Sequence, residues 1–144
     1  MSVAGSLVKI PSLLGTPALD SLPGYFGAAA VGLPEGAVVA GLGHLATAAS
    51  AGFPLTVPVH LLVALTMSGA ALVFGMAARR LGLAAAVPAG IAVNGLLAPA
   101  AVALLPGFGW GFLVAAVPSL VVASAVNTGL AALLYASYRR RPWF

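Results

Sequence analysis

Charge is almost absent from this chain, and that absence limits what it can fold into more than any motif does. Only 6% of its 144 residues are Asp, Glu, Lys or Arg, while 62% are hydrophobic; a soluble globular domain carries about 25% charge. One domain of this length, covering 1–144, cannot hide so much apolar area in a single core, so lipid must cover the remainder. The expected fold class is all-α, an integral membrane bundle of about six transmembrane helices.

Glycine and proline cut the apolar sequence into six segments, at 3–14, 22–33, 37–51, 57–78, 83–105 and 112–138. The first is short for a span, and the second and third crowd together around Pro34, Glu35 and Gly36. Both of these must be short, and a five-span alternative stays open. The stretch from Met1 to Lys9 has no basic run before its apolar part, so it does not read as a cleaved signal peptide. No internal repeat is visible.

The net charge of +4 comes from six basic and two acidic residues. With no interleaving of aromatic and basic residues, it speaks for membrane orientation and against nucleic-acid binding. Arg79 and Arg80 follow the fourth segment, and Arg139, Arg140 and Arg141 follow the sixth. Cytoplasmic arginines at both places put both termini inside a multi-pass cell-membrane protein, with Glu35 inside and Asp20 and the turns at 52–58 and 106–111 outside. Trp110, Phe108, Trp143 and Phe144 are expected as interfacial anchors.

Chemistry is sparsely provided. There is no cysteine, so disulfides and thiolate metal sites are excluded. No phosphate-binding glycine loop, paired carboxylates or metal-ligand spacing occurs, so no catalytic residue, metal or cofactor is expected and the chain is not expected to be an enzyme. Small residues recur every four positions at Gly24, Ala28 and Gly32, at Gly36, Ala40, His44 and Ala48, and at Ala123, Asn127 and Ala131. Such stripes let helices approach closely.

The informative residues are polar groups inside apolar segments: His44, His60, Asn94 and Asn127. Lipid offers them no partner, so they face the bundle interior, where they either bond neighbouring backbone or build a cavity. Four of them on the outer half favour a cavity opening outward, with Lys9 and Asp20 near its mouth. Lys9, Asp20, His44, His60, Asn94 and Asn127 are therefore the candidate substrate-binding residues.

The stretch from Gly36 through His44 to Thr47, followed by Gly52 to Leu55 and by Val59 and His60, resembles the substrate-binding S components of energy-coupling factor vitamin transporters. Lys9 to Pro11 with Ala18 to Pro23 is similar to their first outer loop, and Pro118 to Asn127 resembles a late helix of the branch associated with alpha-ribazole, a cobalamin precursor. The resemblance implies a six-helix bundle whose outward pocket is capped by the loop between its first two helices. It also implies partners: a small vitamin-like ligand, a transmembrane coupling subunit and two ABC ATPases. Members usually dock through an Ala-x-x-x-Ala pattern in the first helix, whereas only Ser2 and Ser6 hold that spacing here. Gly24, Ala28 and Gly32 would be the substitute docking stripe.

The function expected is capture of a vitamin or vitamin precursor for uptake. Two other classes compete with it: a small structural or assembly membrane protein whose polar residues only join helices, and an intramembrane enzyme acting on lipid.

Overall fold

The computed structural model describes residues 19–140, and the expected first segment at 3–14, together with Lys9, lies outside them. The described residues form helices throughout: α1 (Leu22–Ala30), α2 (Leu33–Ser50), α3 (Val57–Arg80), α4 (Leu83–Ala103) and α5 (Gly109–Arg139). Proline punctuation explains most of the boundaries. Pro23, Pro34 and Pro58 all sit in first turns, where a missing N–H removes nothing that a helix would use. The crowded 34–36 region is thus a helix start, with Glu35 in the first turn of α2 and residues 31–32 as its whole connection to α1.

Helix ends follow the same logic. After α2, Gly52 takes φ +76° and the Phe53 N–H closes back on the Ala48 carbonyl at 2.8 Å. This is the left-handed glycine stop that satisfies trailing carbonyls. Gly82, at φ +95° and ψ 172°, turns the chain from α3 into the next helix, its N–H closing on the Ala77 carbonyl at 2.9 Å.

Three helices, α3, α4 and α5, are long and apolar enough to cross a membrane. The nine residues of α1 rise only about 14 Å at 1.5 Å each, under half of a ~30 Å hydrocarbon core. The six-span expectation therefore finds three full-length candidates among the described residues.

Small residues make up much of the interior, packed around the buried rings of Tyr25 and Phe74, while many large aliphatic side chains face outward. Ala28, Ala40, Ala70, Ala71 and Ala131 are fully buried, whereas Leu65 and Val114 are each 71% exposed. Water would reverse that arrangement; lipid permits it, because close helix contact rather than apolar burial drives association. A Cβ on Gly24 would stand 2.5 Å from that of Ala40, and one on Gly36 would collide with the Ala28 backbone. The Gly24–Ala28 stripe is thus spent on α2, and also on Gly75 of α3. It cannot serve as an outer docking surface, which corrects the expectation above.

Successive helices alternate in direction. The Arg79 Nε–H donates to the Ala29 carbonyl at 3.1 Å, and Phe26 meets Tyr138 edge-on at 6.0 Å. The last turns of α1, α3 and α5 therefore share one end, with Arg79, Arg80, Arg139 and Arg140. Asp20, the 51–56 turn and residues 104–108 gather at the other.

Candidate functional site: a polar-walled cavity

At the end away from the arginines, a cavity of about 170 Å³ opens between the residues that lead into α1 and the neighbouring faces of α2, α3, α4 and α5. A single water needs roughly 10–15 Å³, so this space admits a small organic molecule. Asp20, His44, His60, Asn94 and Asn127 all line it, although they are scattered over more than 100 positions of sequence. The sixth candidate, Lys9, lies outside the described residues.

Two of these side chains form a directed hydrogen-bonded pair that faces a third. The Leu55 N–H, in the turn before α3, donates to His60 Nε2 at 3.4 Å. That nitrogen must therefore carry the lone pair, which puts the proton of a neutral His60 on Nδ1. His60 Nδ1 stands 3.1 Å from His44 Nε2, so it donates there, and the His44 proton is left on Nδ1, 4.0 Å from an Asp20 carboxylate oxygen. Both tautomers are assigned from these partners. Phe53 packs edge-on against His60, its ring centroid 5.7 Å away.

Asp20 lies just before α1, 4% exposed. Burial pushes its carboxyl above the ordinary carboxylate range, while the Thr47 hydroxyl and the backbone N–H groups of Asp20 and Ser21 pull it back. Among the described residues no Lys or Arg pairs with it; Arg79, Arg80, Arg139 and Arg140 stand at the far end.

The two asparagines have a second occupation. Asn127 Oδ1 accepts the Leu22 N–H at 2.9 Å, and its Nδ2 donates to the Ala123 carbonyl at 2.9 Å. Leu22 opens α1, where N–H groups lack partners within the helix and Ser21 offers no side-chain cap. Asn127 thus supplies a cap from α5. Asn94 Nδ2 donates to Ser124 Oγ at 2.9 Å, joining α4 to α5.

Asn94 owes its position to a wider turn. Residues Ala92–Leu97 form a π-helical stretch inside α4, closed by the Ala98 N–H on the Val93 carbonyl. Pro99 follows and has no N–H for the Gly95 carbonyl, so the ordinary ladder cannot continue there.

The remaining lining is mostly apolar and includes Val63, Met67, Val102, Phe112 and Ala116. Sequence reasoning passed over these, and over Thr47, yet their register was available. Thr47 follows His44 by one turn, Val63 and Met67 follow His60 by one and two turns, and Phe112, Ala116, Ala123 and Asn127 share a face of α5. Trp110, by contrast, is 80% exposed and stands outside the lining.

Among the described residues no group of His, Asp or Glu has the arrangement to hold a metal ion. Comparison with protein-family models, with curated proteins and with solved structures finds no match to this chain.

Proposed function

We propose that this protein is the substrate-binding S component of an energy-coupling factor importer. It takes a vitamin or vitamin precursor, with alpha-ribazole as the first candidate, and hands it to a coupling subunit driven by two ABC ATPases. It performs no chemistry itself. The observation that carries the reading is the convergence of Asp20, His44, His60, Asn94 and Asn127 on one cavity, from residues otherwise separated by apolar sequence. The gathering of Arg79, Arg80, Arg139 and Arg140 at one end supports it: the positive-inside rule puts that end, and with it the termini of a multi-pass cell-membrane protein, in the cytoplasm and turns the cavity end outward. The α1 helix, with the segment before it, would complete the six-helix bundle.

The test is thermal unfolding of the purified chain with alpha-ribazole. A ligand at 100 times its Kd adds roughly 2.7 kcal/mol to the folded state, so micromolar binding must raise the midpoint. No rise with alpha-ribazole or related vitamins at micromolar concentration overturns the substrate.

A second reading has its own observation. Asn94 and Asn127 both spend their amides on protein partners, as they would in a structural or assembly protein without ligand. Loss of folding without loss of binding in their alanine variants would assign them that role, and failure of every His44 and Asp20 variant to alter binding would extend it to the whole cavity.

A further inference from the structure

We propose that the cavity selects a small organic cation, one whose charge sits on a nitrogen such as a protonated amine or an N-protonated heterocycle, and seats it against Asp20. The proposal rests on the binding-protein reading and narrows its substrate class.

Among the described residues the cavity has a single charged wall. Asp20 precedes α1; α2 contributes His44 and Thr47, α3 contributes His60, and α4 and α5 contribute Asn94, Ser119 and Asn127, none of which is a fixed cation. The imidazole chain cannot become one without breaking. A second proton on His44 would require His60 Nδ1 to accept, which places the His60 proton on Nε2, against the Leu55 N–H. The hydrogen-bond pattern therefore holds one proton per ring and leaves Asp20 facing neutral imidazoles, with His44 Nδ1 4.0 Å away. A buried carboxylate stripped of water is costly until a cation replaces its solvation. A nitrogen cation in the cavity does so, while its apolar body meets Val63, Met67, Val102 and Phe112. Among the described lining residues, nothing would offset the repulsion between an anionic ligand and the same carboxylate.

Three probes of similar shape separate the possibilities: benzylamine, benzyl alcohol and benzoate, each titrated calorimetrically into the full chain in lipid nanodiscs. Charge-assisted hydrogen bonding predicts benzylamine at least about tenfold tighter than benzyl alcohol, with benzoate weakest. In Asp20→Asn the amine and the alcohol should converge to within about twofold, because only the charge has been removed. Equal binding of amine and alcohol by the native chain, tighter benzoate, or no heat from benzylamine at millimolar concentration overturns the proposal without need of the variant. The vitamin reading fails separately. If alpha-ribazole is inert while benzylamine binds through Asp20, the cation site stands and the named substrate falls. If alpha-ribazole binds and the amine has no preference, the cation site alone falls.

Discussion

His44 Nε2 lies 3.1 Å from His60 Nδ1, joining α2 to α3 at the cavity wall. Because Leu55 occupies the far nitrogen of His60, this one contact sets the proton positions on both rings. Each imidazole should carry its proton on Nδ1, the less common form in water. Nitrogen-15 NMR of histidine-labelled protein reads this directly, as two rings whose protonated signal is Nδ1. A protonated Nε2 on either ring would contradict the chain.

Removing His44 should separate binding from folding. The His44→Ala variant loses the hydrogen bond to His60 and the neighbour of Asp20, and ligand affinity should fall by about tenfold, the equivalent of one hydrogen bond to a polar ligand group. Parallel titration and thermal unfolding check it. Unchanged affinity would remove His44 from the site.

Asn127 should behave in the opposite way. Alanine there strands the Leu22 N–H at the start of α1 and removes the link to Ala123, at a cost of about 1–3 kcal/mol for a buried unsatisfied group. Asn127→Ala is expected to lower the unfolding midpoint by several degrees even without ligand. A midpoint equal to that of the native chain would show that the cap is dispensable.

Two glycines offer a paired check on the packing. Gly36→Val forces a side chain into the Ala28 backbone and should destabilise by at least the roughly 1–3 kcal/mol of an overpacked core. A Cβ added at Gly69 on α3 would meet nothing within 4 Å, so Gly69→Ala should stabilise by about 0.5–1 kcal/mol through helix propensity alone. Both are measured as unfolding midpoints in the same lipid or detergent.

Much of this arrangement is legible in the sequence. The starts of α1, α2, α3 and α4 follow from proline and glycine positions, and polar residues in apolar helices have to turn inward, which is why His44, His60, Asn94 and Asn127 meet. What is not legible depends on contacts between distant residues. Nothing local tells that Asn127 caps Leu22, because the bond joins positions 105 apart. The π-helical turn that carries Asn94 follows from Pro99 only once the helix is known to continue through it. The small-residue stripe of α1 has the spacing of an outer docking face and that of an internal seam alike; only the partners Ala40 and Gly75 decide between them.

Asp20 makes stability depend on pH in a definite direction. Its folded pKa is raised by burial above the ordinary value of 3.8, so its contribution favours folding below that value and is lost as pH rises through the folded pKa. Above the ordinary carboxylate range, and without ligand, burial of this group therefore works against the fold. Asp20→Asn cannot ionise, so it should unfold at a higher temperature than the native chain at about pH 7, and the difference should shrink toward zero as pH falls to about 3, where the native side chain is protonated in both states. A cationic ligand that pairs with Asp20 should erase the same difference at neutral pH, by restoring to the native carboxylate what burial removes. Midpoints recorded across this acid-to-neutral range for both proteins, with and without benzylamine, check each step. An Asp20→Asn chain less stable than the native one at neutral pH in the absence of ligand would show that the hydrogen bonds from Thr47 and the backbone outweigh the burial of the charge.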